Sequence, residues 1–433
     1  LKKTVSVIGA CGHVGFPFSV IIADSGHKVY GIDINTTLCN QMNLGMMPYI
    51  EYGADKPFTN AINSKSLEFT NDFSKISECD VVAIMIGTPV DSEGNPRLDD
   101  ILNFVDVELS EWMKPGTLVI LRSTVAPGTT ELIRNLLEKK GYIEGRDYYL
   151  VFCPERVAQA YGIEETRKLP QLIGAFSETS YNVAKEFFQT FVEKDCFWLF
   201  PREAEVGKLI TNMYRYVTFA LANEFYIIAD KQGVDINRIT DAVNKDYGRM
   251  ALPKPGPNVG GPCLFKDGKF LLSGIPFVEL INTSFIINEG MPEYIISQLK
   301  TMNRHIKKLL ILGMTFKAEC DDTRNSLSFK LKKVCVKNGI ETRSIDPFIY
   351  DQNNEYINYK DFDAVVVMTP HKKLKEDFSN MKEKFREDTI IVDVWKLFDQ
   401  SKHSINGIYK VSESDGSSLT IQEKNMYKMW GYL

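Results

Sequence analysis

Short apolar runs recur along this chain, separated by stretches with helical spacing. Thr4–Ile8, Lys28–Ile32, Asp80–Ile86 (DVVAIMI), Thr117–Arg122 and Tyr148–Phe152 are near-continuous apolar runs, the pattern of parallel strands buried on both faces. After Ile8 the spacing turns helical to about Ser25, and Gly26 ends that helix. A second series follows late in the chain: Lys307–Gly313 (KKLLILG), Glu341–Asp346 (ETRSID), Ala364–Met368 (AVVVM) and Thr389–Val394 (TIIVDV). Between the two series, Glu203–Gln232 reads as one long helix, with Val206, Leu209, Ile210, Met213, Val217 and Leu221 at helical spacing. Residues 268–300 also read as helical and mostly apolar. The pattern predicts an α/β protein with two Rossmann-like domains joined by a central helical domain with a long helix. The expected divisions are 1–200, 201–300 and 301–433. The last twenty or so residues are polar and predict no element.

Composition narrows the class. A chain of 433 residues is too long for one core. Its 44% apolar and 25% charged content is that of a globular protein. The net charge is −5 and no Lys/Arg run dominates, which argues against nucleic acid as a partner. Eight cysteines (11, 39, 79, 153, 196, 263, 320, 335) lie scattered without CxxC pairs, and the five histidines are isolated. That predicts a reducing cytosol and no metal site. Lys2-Lys3 followed by the nearly uncharged Thr4–Ala23 mimics a leader or a membrane span. Gly9, Gly12, Gly15 and Pro17 interrupt that run, and a second strand follows at once. A strand-turn-helix-strand unit in a cytoplasmic protein that does not enter a membrane is therefore expected.

Gly9-Ala-Cys-Gly12-His-Val-Gly15 follows the first strand, and Asp33 closes the second. Glycines there permit a tight turn and close approach to a pyrophosphate, which the helix N-terminus attracts. A carboxylate at the end of the second strand takes ribose hydroxyls and repels a 2′-phosphate, so NAD is expected over NADP. The GxxGxxG spacing is one residue longer than GxGxxG at the first turn. Two further strands end in Gly87-Thr88-Pro89 and Ser123-Thr124, placing Thr88 and Thr124 at the carboxyl edge where ligands of such sheets lie. Lys208 and Asn212 share a helix face, four residues apart; alternatively Lys208 is a solvated surface lysine. The stretch 253–267 (PKPGPNVGGPCLFKD) centres on Cys263. Its glycines and prolines predict a shaped loop and not a helix interior, presenting a thiol beside Lys266 and Asp267. The bland alternative is a buried structural cysteine beside a solvated ion pair.

The segments IGACGHVGFP, IGTP, RSTVAPGTTE, CPERV, EVGKLITN, GGPCLFKD, FKAECDDTRNS and IDP occur in that order between Val5 and about Phe398. Together they resemble the UDP-glucose/GDP-mannose dehydrogenase family, the nucleotide-sugar 6-dehydrogenases. The resemblance implies oxidation of a sugar CH2OH to a carboxylate with reduction of two NAD. By the family pattern Cys263 is the nucleophile, trapping the aldehyde as a thiohemiacetal and passing through a thioester. Lys208 stabilises the oxyanion or shuttles the proton, and Asp267 and Thr124 hold a water. Glu155 assists thioester hydrolysis and Asn212 orients the substrate or oxyanion. Whether Lys208 or Asp267 is the base stays open. The implied cofactor contacts are Gly9, Gly12, Gly15, Asp33, Thr88, Thr124 and, from the C-terminal domain, Arg324. The implied substrate contacts are Glu155, Arg156, Lys208, Asn212, Arg249, Gly260 and Lys317. Arg249 corresponds only loosely, because the loop before Cys263 is about two residues shorter than in UDP-glucose enzymes.

Pro154-Glu155-Arg156-Val157, with Glu164-Glu165-Thr166-Arg167 after it, is similar to the branch acting on UDP-N-acetylhexosamines, whereas UDP-glucose and GDP-mannose enzymes usually carry Pro-Glu-Phe-Leu. The cysteine loop lacks the His-Cys variant common in that branch, so UDP-glucose remains an alternative substrate. Two other classes stay open. A β-hydroxyacid dehydrogenase also pairs a dinucleotide domain with Lys and Asn on a long helix, but it has no use for Cys263. A non-catalytic NAD-binding scaffold has no reason to keep Cys263, Lys208, Asp267 and Glu155 together. The apolar middle helix predicts a homodimer or higher homo-oligomer.

Overall fold

The computed structural model describes residues 2–91, 95–272, 275–303, 305–349, 357–398 and 407–411; the expected polar tail lies outside them. The chain divides into two compact units: Leu1–Asn212 with Lys266–Ile275, and Met213–Phe265 with Pro276–Leu433.

The first unit is built on strands β1 (Thr4–Ile8), β2 (Lys28–Ile32), β3 (Leu67–Thr70), β4 (Val81–Ile84), β5 (Thr117–Leu121), β6 (Tyr148–Phe152), β7 (Gln171–Ala175) and β8 (Cys196–Leu199). Their order is β3-β2-β1-β4-β5-β6-β7-β8. The sheet is parallel except where β7 turns antiparallel to β6. Val5, Val7, Val29, Val81 and Ala83 are sealed in its core, as near-continuous apolar strands require. The order reverses between β1 and β4, and a crevice opens at the carboxyl ends of the strands at such a point. Ile8 stands opposite both Ile32 and Ile84, so the residues that leave the three strands emerge at one edge. The first helix, Gly15–Asp24, buries Gly15 through Ala23 and follows directly from the glycine turn.

The second unit holds a smaller sheet of β9 (Lys308–Leu312), β10 (Glu341–Ile345), β11 (Ala364–Val367), β12 (Ile390–Val392) and β13 (Ile408–Lys410), in the order β10-β9-β11-β12-β13. Only β13 runs antiparallel. The two Rossmann-like sheets and the long helix, Pro201–Gln232, agree with the sequence reading.

Two expectations are corrected. The stretch around Cys263 is not a loop throughout: a helix begins at Gly261 and runs to Leu272, so Cys263 sits in its first turn. Pro262 is tolerated there because the first helical amides have no intrahelical partner to lose. The helical reading of 268–300 is also interrupted. One helix ends at Leu272, the next is Glu279–Met302, and Pro276 lies between them. Proline lacks the amide that a continuous helix would need.

Candidate active site

The glycine turn after β1 is sterically closed. A Cβ on Gly9 would lie 2.7 Å from the Met85 carbonyl oxygen, and one on Gly15 would lie 2.2 Å from the Gly9 carbonyl oxygen. Gly9 also has φ +82°, a region that side chains disfavour. The turn is pinned by Gly9 N–H donating to the Ile32 carbonyl at 2.8 Å and by Gly12 N–H donating to Gly9 at 3.2 Å. Asp33 sits at the end of β2, its carboxylate accepting from Cys11 N at 3.0 Å and Asn35 N at 2.9 Å. It lines a cavity of about 440 Å³ with Gly9, Ile34, Phe73, Gly87 and Asp100. A turn that admits no Cβ at Gly9 or Gly15, a helix N-terminus and a carboxylate beside an open cavity fit a dinucleotide.

Lys208, Asn212 and Asp267 are all buried, which overturns the solvated alternative for Lys208. Asn212 Nδ2 donates to Asp267 Oδ2 at 2.5 Å. Asp267 is 1% exposed, and its other oxygen is buried with no hydrogen-bond partner among the described residues. Burial pushes the Asp267 carboxyl above the usual carboxylate range, while the charges of Lys208 and Lys266 and the Asn212 hydrogen bond pull the other way. An acid so poised can hold or pass a proton nearer neutrality than an ordinary aspartate. Beside it, Lys266 Nζ lies 3.0 Å from Thr88 Oγ1, which in turn donates to the Thr124 carbonyl at 2.6 Å. Thr88 and Thr124 are thus tied together at the carboxyl edge of the sheet, with Thr88 buried.

Glu155 follows β6 and is ion-paired with Arg122, a fully buried guanidinium at the end of β5. Arg156 N and Val157 N also donate to Glu155, at 2.8 and 3.2 Å. Burial pushes the Glu155 carboxyl up, but the Arg122 charge and these hydrogen bonds outweigh it and hold the group below its usual range. Arg122 lies with its guanidinium carbon 4.3 Å from the Phe18 ring centre and reaches Cys153 Sγ. The Arg156 side chain donates to the Pro170 carbonyl.

In the second unit, Gly260 and Gly261 take φ +121° and +63° just before Cys263. A Cβ on Gly261 would lie 2.4 Å from the Phe316 ring, and one on Gly256 would lie 1.9 Å from the Trp395 ring. Asn258 anchors the approach. Its Nδ2 lies 2.9 Å from the Thr315 carbonyl and 3.0 Å from both Ser326 Oγ and Thr369 Oγ1, and its Oδ1 accepts from Leu327 N at 2.8 Å. The Cys263 thiol is exposed at the helix N-terminus, where negative charge is favoured. Gly260 also lines a cavity of about 530 Å³ with Tyr216, Glu289, Asn325 and Lys330. Arg249 is exposed in a turn, and Lys317 is half-buried in the segment after β9. Arg324 is exposed and holds Asp322 at 2.6 Å. Arg249, Lys317 and Arg324 do not line that cavity.

Sequence reasoning gave no role to Arg122 or Asn258, and it placed Lys266 only as a neighbour of the Cys263 thiol, not against Thr88. Arg122 had a signal: a charged residue closing an otherwise apolar strand must find a buried partner. Asn258 had none, because its partners come from distant segments.

Residues 3–192 match the NAD binding domain of the UDP-glucose/GDP-mannose dehydrogenase family, 202–286 its central domain and 310–400 its UDP binding domain. The chain is 30% identical over 429 residues to a UDP-N-acetyl-D-mannosamine dehydrogenase of Methanocaldococcus jannaschii, covering 96% of this chain and 98% of that protein. The solved UDP-D-ManNAc dehydrogenase of Pyrococcus horikoshii has TM-score 0.82 and 31% identity over 88% of this chain and 93% of its own. The UDP-N-acetyl-mannosamine dehydrogenase Cap5O of Staphylococcus aureus has TM-score 0.81 and 26% identity, covering 94% and 97%. The chain belongs to the UDP-glucose/GDP-mannose dehydrogenase family of NAD-dependent nucleotide-sugar oxidoreductases.

Proposed function

We propose that the chain oxidises the C6 hydroxyl of a UDP-N-acetylhexosamine, with N-acetylmannosamine as the favoured sugar, to the uronic acid through a thioester on Cys263. The observation that carries this reading is the buried Lys208–Asn212–Asp267 cluster, with Asp267 on the helix that begins at Gly261 and carries Cys263 one turn earlier. When bound, NAD supplies the acceptor for the two electron pairs. Gly9, Gly12 and Gly15 would hold its pyrophosphate, Asp33 its ribose hydroxyls, and Thr88, Thr124 and Arg324 its remaining polar edge. Asp267, poised by burial, manages the proton of the substrate hydroxyl through a water that Thr124 shares. Lys208 and Asn212 stabilise the oxygen that gains negative charge. Cys263 adds to the aldehyde carbon, and after the second oxidation water displaces the thiol and releases the carboxylate. Glu155 is held anionic by Arg122 and so suits orientation of that water better than strong base catalysis. Arg156, Arg249, Gly260 and Lys317 complete the nucleotide-sugar contacts.

Pro154-Glu155-Arg156-Val157 and the names of the relatives above support the N-acetylhexosamine. The three matched segments support an NAD domain near 1–200, a helical domain near 201–300 and a nucleotide-sugar domain beyond. Tyr214, Leu221 and Ile228 stand exposed at seven-residue spacing on the long helix, which supports self-association through it. Among the described residues no helix is long and apolar enough to cross a membrane, and a cytoplasmic enzyme is part of this reading. The test is kcat/KM on UDP-N-acetylmannosamine, UDP-N-acetylglucosamine, UDP-N-acetylgalactosamine, UDP-glucose and GDP-mannose. An N-acetylated sugar should lead; UDP-glucose in front would overturn the sugar assignment.

A further inference from the structure

Two cysteines that the proposed reaction does not use meet beneath the glycine turn. Cys11, inside the turn, and Cys39, on the helix Thr36–Asn43 that follows β2, place their sulfurs 3.7 Å apart. Both are buried, at 4% and 2% exposure. Cys39 Sγ also lies 3.7 Å from the Asp33 carbonyl oxygen, and Cys11 N is one of two backbone amides, with Asn35 N, that hold the Asp33 carboxylate. The pair therefore bridges the two elements that shape the dinucleotide pocket.

The geometry points to a dithiol–disulfide site at Cys11 and Cys39 that is coupled to dinucleotide binding. Bond formation closes the contact from 3.7 Å to the about 2.05 Å of a disulfide. The two thiols together lose two protons and two electrons as the Cys11 Sγ–Cys39 Sγ bond forms. A low-molecular-weight disulfide, R–S–S–R, takes them up and leaves as two R–SH. Drawing Cys11 towards Cys39 displaces one of the two amides that position Asp33. The turn cannot absorb this locally, because Gly9 and Gly15 are already against neighbouring backbone. Burial, with the Asp33 charge and the neighbouring thiol, pushes Cys11 well above the ordinary thiol range, and burial also raises Cys39. The pair thus stays reduced while the turn is closed and reacts when it opens, so a bound dinucleotide protects it.

The experiment uses the full chain carrying Cys263→Ala, so that oxidation of that exposed thiol does not enter. It is treated with oxidised glutathione, alkylated, digested and read for a Cys11–Cys39 linked peptide, and NADH affinity is followed by fluorescence. The linked peptide should form, faster without NADH than with it. Affinity should fall about tenfold or more and return with dithiothreitol. Cys39→Ser, added to that background, should abolish both effects while still binding NADH. Absence of the linked peptide overturns the site. A linked peptide with unchanged NADH affinity overturns the coupling. The coupling, unlike the bond, rests on the cofactor reading of this pocket, and reduced protein that binds no NADH would count against that reading instead.

Discussion

Arg122 and Asp267 carry opposite electrostatic burdens. Arg122 is fully buried and neutralised by Glu155, so Arg122→Gln leaves an uncompensated carboxylate in the interior. It should cost about 3–5 kcal/mol in denaturant unfolding; a loss under 1 kcal/mol would show that the pair is solvated. Because Glu155 is held below its usual range, its contribution is present above the ordinary carboxylate pKa and is lost as pH falls through the depressed value. Asp267 has the reverse sign. Its raised carboxyl contributes fully below the ordinary pKa of about 3.9, and that contribution is lost as pH rises through the raised value. Asp267→Asn should therefore gain in Tm relative to the parent as pH climbs from acid to neutral, while turnover falls about 100- to 10,000-fold. A Tm difference that does not change with pH would contradict the burial account. The residue types at these positions were legible in the sequence. Their pairings were not, because Arg122 meets Glu155 only after β5 and β6 lie side by side.

At the scale of elements, glycine sets the geometry of the turn after β1 and of the approach to Cys263. The turn after β1 and the approach to Cys263 each contain positions where a Cβ would strike backbone or an aromatic ring. Gly15→Ala should weaken NADH binding about tenfold or more and lower Tm, since the strain falls on the turn itself. Unchanged NADH affinity, measured by fluorescence titration, would remove the turn from the cofactor site. Strands β1, β2, β4, β5 and β6 of the first sheet and β9, β11 and β12 of the second could be read from apolar runs between turn signals, since parallel strands buried on both faces leave that trace. Four strands left weaker signals. β3 (LEFT) is four residues long and carries an exposed glutamate, Phe197 and Trp198 of β8 (CFWL) are exposed, β7 contains a glycine, and β13 is three residues long. The start of the cysteine helix was obscured by the glycines and proline that terminate the preceding loop and open the helix.

For the whole molecule, the central claim is that one site performs two successive oxidations without releasing the aldehyde. An open sheet edge fit for a dinucleotide, the buried Lys208, Asn212 and Asp267, and the exposed Cys263 suit such a sequence, and a single oxidation would need no thiol. Cys263→Ser should retain substrate binding and lose the carboxylate product, because a serine hydroxyl is a poorer nucleophile than a thiolate. The most direct measurement is the number of NADH formed per molecule of UDP-N-acetylhexosamine consumed at completion. The account predicts two, with no aldehyde detected in solution. One NADH per sugar, with the aldehyde accumulating, would contradict it.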